Sequence, residues 1–250
     1  MTLRLTCLYL ALSLLLAACT TSPSGQPRQD ARTHYLLGSS ALAENNPTVA
    51  LQEFLLAEKA DRRDPDIQAG LARAYMQKRA YDLAEGHLLK AIALTDGAPQ
   101  HYNDLGALYL SMERYDDAIT AFRKAADNLL FAASERAWAG IGVAFFYKQD
   151  YAAAERAYRK ALEHNPRYAQ AMFRLGELYY NQDRSVEAME SFNRATIMDV
   201  RYIEAHYWLG LAAMKARDVP RARQAFAETI RLAPDSEQAR LARGYLNTLP

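Results

Sequence analysis

From residue 31 to residue 236, apolar side chains recur at spacings of three and four, the period of a helix that buries one face. Polar or turn-prone clusters interrupt this pattern, among them residues 44 to 47 (ENNP), 183 to 185 (DRS) and 217 to 220 (RDVP). Asn165-Pro166 and Ala233-Pro234 stand where a proline stops a helix. No stretch alternates apolar and polar residues, so the pattern predicts an all-α chain of short helices joined by tight turns.

These segments share a register. LLGSSAL (36 to 42), LARAYM (71 to 76), LGALYL (105 to 110), IGVAFF (141 to 146), LGELYY (175 to 180) and LGLAAM (209 to 214) each carry a small second residue. Those residues are Gly38, Ala72, Gly106, Gly142, Gly176 and Gly210, at intervals of 34, 34, 36, 34 and 34. Twelve residues beyond each comes an alanine, and four further on a large residue, as in Ala118 and Phe122 or Ala154 and Tyr158. The small residue, at position eight of its repeat, lets two helices approach closely. The alanine at position 20 is expected to face it from the second helix.

A period of 34 in this register resembles the tetratricopeptide repeat, a helix–turn–helix unit. The resemblance implies a right-handed superhelical solenoid of six repeats, at residues 31–64, 65–98, 99–134, 135–168, 169–202 and 203–236. A capping helix at 237–250 would then cover the last repeat. Ala41 and Ala213 replace the aromatic residue found at the same position of the inner repeats, as suits end units with one missing neighbour. The interval of 36 lengthens the third-to-fourth junction, residues 127 to 135. Its Leu129, Leu130 and Phe131 either pack beneath the loop or mark a contact site or kink.

The N-terminus follows a different rule. One positive charge at Arg4 precedes the apolar run Leu5 to Leu16, too short for the roughly 20 residues of a bilayer-spanning helix. Leu16-Ala17-Ala18-Cys19 resembles the lipobox of bacterial lipoproteins. The resemblance implies a signal peptide over 1–18, cleavage before Cys19 and lipid on that cysteine. Thr20, in place of the aspartate tied to inner-membrane retention, implies an outer-membrane address facing the periplasm. Residues 19–30, rich in Ser, Thr and Pro, are expected to form a flexible tether of roughly 18 Å.

Charge and chemistry narrow the function classes. Lys and Arg total 30 against 29 Asp and Glu, with no basic cluster of the kind that binds nucleic acid or an anionic membrane. The two cysteines, Cys7 and Cys19, fall in the signal and at the lipid site. The five histidines, His34, His87, His101, His164 and His206, have no metal-ligand spacing. There is no glycine-rich phosphate loop and no nucleophile with a base. The expectation is no catalysis, no metal, no small-molecule substrate and no cofactor beyond the covalent lipid.

Binding is left. First helices of this repeat class line the concave face, and positions two, five, nine and twelve form the stripe beside the packing positions. The predicted groove residues are Met76, Asn103 and Leu110 in the earlier repeats, then Val143, Phe146, Phe173 and Tyr180, and finally Tyr207, Leu211 and Met214. An apolar, aromatic trough of this kind suits a segment of a protein partner. If tight packing or the C-terminal helix covers these residues, no such trough exists.

Lipobox, polar tether, about six repeats and a lengthened junction at DNLLFAASERAWAGIG resemble the pilotin lipoproteins of type IV pilus biogenesis. That resemblance implies an outer-membrane adaptor that helps a secretin reach its membrane and multimerise. A scaffold for cell-wall or exopolysaccharide machinery shares the anatomy, as does a lipoprotein that recruits a hydrolase.

Overall fold

The computed structural model describes residues 26 to 250, with side chains from Arg28 onward. Cys19, the signal and the tether up to residue 25 lie outside them. Thirteen α-helices and no strand occur among the described residues. The first helices of the six repeats are α1 (Gln26–Ala43), α3 (Pro65–Gln77), α5 (Pro99–Ser111), α7 (Ser134–Tyr147), α9 (Ala169–Asn181) and α11 (Ile203–Lys215). The second helices are α2 (Pro47–Ala60), α4 (Tyr81–Leu94), α6 (Tyr115–Ala126), α8 (Tyr151–His164), α10 (Ser185–Met198) and α12 (Val219–Leu232), and α13 (Glu237–Thr248) follows. Residues 26 to 30, expected in the tether, already belong to α1.

Two compact units divide the chain between His87 and Leu88. In the first, α1 packs on α2 and α2 on α3. In the second, α5 to α12 pack in sequence, each on the next, and α13 closes against α12 and α11. Within each unit, successive helices thus bury a face on their neighbours in the chain, as a solenoid requires.

Each turn inside a repeat is built alike. Position 15 takes a left-handed conformation in all six: Asn45, Arg79, Glu113, Gln149, Asp183 and Arg217 have φ between 57° and 62°. The next residue donates its N–H to the carbonyl five residues back, as in Asp150 to Phe145 at 3.0 Å and Asp218 to Ala213 at 2.8 Å. These bonds satisfy carbonyls that the end of the first helix would leave open. Asn46, Asp150 and Asp218 then cap the second helix by accepting from the N–H three residues on. Because the hydrogen bonds fix the turn, sequence need not supply glycine, and none stands at position 15.

Close helix contact has a partner other than the expected one. The alanines at position 20 are fully buried, but in five repeats the glycine at position eight meets the large residue at position 24. A Cβ added at Gly38, Gly106, Gly142, Gly176 or Gly210 would lie under 3.0 Å from the ring of Phe54, Phe122, Tyr158, Phe192 or Phe226 respectively. Gly70 and Gly140 press on Phe54 and Phe122 in the same way from the following repeat. Each buried ring contributes about 1.5–3 kcal/mol through the area it removes from water.

The lengthened junction, residues 127 to 133, is pinned by Asn128, whose Oδ1 accepts from Leu130 N at 2.9 Å. Leu129 and Leu130 do not pack beneath it: they are 101% and 91% exposed. An asparagine-anchored turn leaves both leucines pointing away from the helices.

Two substitutions separate contact from propensity. Gly142→Ala gains about 1 kcal/mol of helix propensity yet overlaps the Tyr158 ring. Urea unfolding should show a net loss of about 1–3 kcal/mol, reduced when Tyr158→Leu is added. Gly86→Ala, with nothing within 4 Å of its added Cβ, should instead stabilise by about 0.5–1 kcal/mol. At the turn, Gln149→Gly should raise stability by up to about 1 kcal/mol, because glycine adopts positive φ without a Cβ clash.

Candidate functional site

The first helices of the third to fifth repeats enclose an open hollow of about 450 Å³. From α5 come Asn103, Ala107 and Leu110; from α7 come Arg136, Ala139, Gly140 and Val143. Tyr168, just before α9, and Gln170 and Arg174 on α9 complete the rim, with the Phe122 ring at the floor. Helical spacing dictates this grouping: Asn103, Ala107 and Leu110 follow one another by four and three residues, so one helix face presents them together.

Three predicted groove residues, Asn103, Leu110 and Val143, meet in this hollow. Phe146 is half-buried further along α7, edge-on to Tyr151 at 5.7 Å between ring centroids. Tyr180 is half-buried, edge-on to Trp208 at 5.3 Å, with Lys215 Nζ 4.5 Å from its ring centre. Phe173 is no groove residue: it is buried against Tyr202 at 5.0 Å and Phe192 at 5.4 Å. Position five faces inward there because Tyr202, at the end of the loop that leads into α11, lies across it.

In the sixth repeat the trough is partly covered. Tyr207, Leu211 and Met214 pack with Tyr245, Leu246 and Leu249 of the C-terminal segment around Phe226. Burial, with the Tyr245 hydroxyl as hydrogen-bond partner, pushes the Tyr207 phenol up to about 12. Met76 lies in the first unit, beside Leu42 and Arg73 in a separate shallow hollow of about 460 Å³. The continuous apolar trough therefore resolves into an open stretch over repeats three to five and a partly covered one at the C-terminal end.

The polar rim of the hollow escaped sequence reasoning. Arg136 and Gln170 occupy position two, on the stripe already assigned to the groove, where apolar pattern gives a polar residue no signal. Arg174 Nη1 donates to Glu177 Oε2 at 2.8 Å, while its Nε is buried with no partner. Burial raises the Glu177 carboxyl and the Arg174 charge opposes that rise. Asn103 Oδ1 is likewise buried without a partner. Tyr168 donates to Gln170 Oε1 at 2.6 Å.

A second hollow, of about 500 Å³, lies among α8, α9 and α10. Arg159 and Arg184 on its lining are held by carboxylates. Glu155 accepts from Arg159 at 2.8 Å, Tyr179 at 2.9 Å and Arg184 at 3.3 Å, and Arg184 also holds Glu187. Burial would raise the Glu155 carboxyl, but these donors outweigh it and hold it below the usual carboxylate range. A ligand there would have to displace internal pairs, so the hollow on the first helices is the better candidate.

Among the described residues, no group of three or more His, Cys, Asp or Glu could hold a metal, and no helix is long and apolar enough to cross a membrane. His34 binds Glu53 at 2.7 Å and His206 sits 3.2 Å from the Val200 carbonyl, both within the packing of their repeats.

Comparison with known proteins places this architecture. Type IV pilus assembly protein PilF of Pseudomonas aeruginosa is 24% identical over 200 residues, covering 77% of this chain and 79% of that protein. A solved structure of P. aeruginosa PilF superposes with a TM-score of 0.70 at 19% identity, over 88% of this chain and 99% of that one. PilW, a widely conserved type IV pilus biogenesis factor, gives 0.72 at 16% identity, over 87% and 97%. Protein bimA of Emericella nidulans is 23% identical over 198 residues, or 75% of this chain, which spans only 23% of bimA's length. Tetratricopeptide-repeat profiles match residues 34–99 and 140–199, with further matches at 100–127 and 203–236. With the six helix pairs in the register that these profiles cover, the chain belongs to the tetratricopeptide-repeat family.

Proposed function

We propose that the protein is a non-catalytic adaptor of type IV pilus biogenesis. It is lipidated at Cys19, anchored in the outer membrane and faces the periplasm. Its first-helix groove binds a segment of a protein partner, a secretin or another subunit of the envelope complex. The observation that carries this reading is the scale of the likeness to PilF: the two chains correspond over more than three quarters of both lengths, whereas this chain corresponds to only 23% of bimA. The open apolar stretch at Leu110 and Val143 supplies a place for the partner, and no cofactor, nucleic acid or small-molecule substrate is needed.

The work is transport by association. The groove holds a secretin subunit while acyl chains on Cys19 hold the adaptor in the membrane, at roughly 0.8 kcal/mol per buried methylene.

Gene deletion in the native host should abolish surface pili and leave the secretin as unassembled subunits in membrane fractions. Cys19→Ala should reproduce the assembly defect with the protein folded and released from the membrane. Val143→Glu, which puts a charge into the open apolar stretch, should cut secretin co-purification at least tenfold without unfolding. Normal pili together with altered cell shape or lost exopolysaccharide would instead favour the wall or polysaccharide scaffold; recovery of a wall hydrolase with the protein would favour the recruiter.

A further inference from the structure

Among the described residues, the most exposed large apolar side chains are Leu129 and Leu130, at the tip of the junction after α6. Three hydrogen bonds hold that tip in one shape. Leu130 N–H donates to Asn128 Oδ1 at 2.9 Å, Phe131 N–H to the Asn128 carbonyl at 3.0 Å, and the Ser134 hydroxyl to the Phe131 carbonyl at 2.8 Å. The next two junctions of the second unit are built alike. Arg167 N–H donates to Asn165 Oδ1 at 3.0 Å, and Arg201 N–H to Asp199 Oδ1 at 2.9 Å. Tyr168 and Tyr202 donate their N–H to the carbonyls of Asn165 and Asp199, both at 3.1 Å, as Phe131 does to Asn128. Equivalent turns of successive repeats fall on one edge of a solenoid. That edge therefore carries three tips of two residues each, Leu129-Leu130, Pro166-Arg167 and Val200-Arg201, all exposed.

The first residue of each tip is apolar, and the second is leucine or arginine. The acids of these junctions, Asp127 and Asp199, precede the tips rather than forming them. Helix packing does not account for the choice, since none of the six residues is buried. A protein partner would need roughly 1,600 Å² of matched interface, and arginines interrupt the apolar area here. A lipid surface needs no matched shape. Aliphatic tips enter between headgroups, and guanidinium groups bind their phosphates. Nearness comes from the anchor. Only six residues separate Cys19 from α1, so the two lie at most about 25 Å apart. For a chain already held at a membrane, a weak second contact becomes intramolecular and is readily filled.

We propose that the inter-repeat edge of the second unit rests on an anionic phospholipid surface. Leu129 and Leu130 enter the outer part of the acyl layer, while Arg167 and Arg201 pair with phosphates. The inference rests on the Cys19 anchor proposed above and adds orientation to it. Acyl chains keep the adaptor at the membrane; the edge sets which way the stack of repeats faces. Linear sequence hides the pattern, because Arg167 and Arg201 share an edge only through the repeat.

Once Cys19 is acylated the mature chain has no free thiol, so a cysteine placed at the tip can be labelled alone. Leu129→Cys, carrying a nitrobenzoxadiazole dye, is reconstituted as the lipidated full chain in vesicles of phosphatidylcholine and phosphatidylglycerol. Lipid spin-labelled high on its acyl chain should quench the dye at least twofold. The same dye on Ser111→Cys, exposed at the far end of α5, should not be quenched. Adding Leu130→Asp should abolish quenching with the melting temperature unchanged, because that side chain is almost wholly exposed. Arg167→Glu together with Arg201→Glu should halve the quenching, and 500 mM NaCl should act in the same direction. No quenching at the tip, equal quenching at Ser111→Cys, or shielding that appears only when secretin is added would overturn the proposal. If mass spectrometry finds Cys19 unacylated, the anchor reading fails by itself. The tip is then tested on Cys19→Ser with an N-terminal histidine tag, captured by nickel-chelating lipid in the same vesicles. Quenching there sustains the edge contact, and its absence overturns it.

Discussion

The fold depends on one repeated contact: in five of the six repeats a large side chain at position 24 of the second helix lies against the small residue at position eight of the first. In five repeats the pair is an aromatic ring on glycine, with hypothetical Cβ-to-ring distances under 3.0 Å. The remaining repeat has Leu88 with Ala72, a smaller side chain with a larger partner at the same two positions. Reciprocal sizing of this kind conserves volume at the helix crossing, as a close-packed interior demands. Glycine is a poor residue for the middle of a helix, costing about 1 kcal/mol against alanine. Its recurrence there means that the contact gains more than the helix loses.

Much of this was legible from spacing. The period of 34, the first- and second-helix positions and the end-repeat departures follow from one residue set in register. Which residue of the second helix touches the glycine did not follow, because spacing places Ala118 and Phe122 on the same face of α6 and cannot say which reaches further. The left-handed turns were also hidden. Asn, Arg, Glu, Gln, Asp and Arg share no turn signature, and the backbone hydrogen bonds that hold position 15 leave no mark on composition.

The groove was legible in part for a similar reason. Helical spacing put Asn103, Leu110 and Val143 on one stripe, and they line one hollow. It could not foresee that Tyr202 from a loop would lie over Phe173, and it left open whether the C-terminal helix would draw in Tyr207, Leu211 and Met214, as it does. Both depend on where a neighbouring segment lies in space. Leu37 carries the converse lesson. The equivalent residues Leu71, Leu105, Ile141, Leu175 and Leu209 are buried, yet Leu37 is half exposed, since the covering helix of a preceding repeat is what buries the others.

The packing contact and the groove meet at position six. After Phe54 and Phe122 the following repeat supplies Gly70 and Gly140, pressed on the ring; after Phe192 it supplies Trp208, stacked on it at 6.1 Å. After Tyr158 it supplies Arg174. Tyrosine replaces phenylalanine at position 24 in this repeat alone. Burial pushes its hydroxyl pKa up and the Arg174 charge opposes that, so the phenol and the guanidinium lie within electrostatic reach. A phenylalanine would offer the cation a ring but no hydroxyl. The same position therefore seals the repeat interface in one place and places a cation on the groove rim in another. Which it does follows from the side chain supplied there: Gly70 and Gly140 admit the ring, whereas Arg174, held by the Glu177 carboxylate at 2.8 Å, keeps a half-buried cation beside the groove.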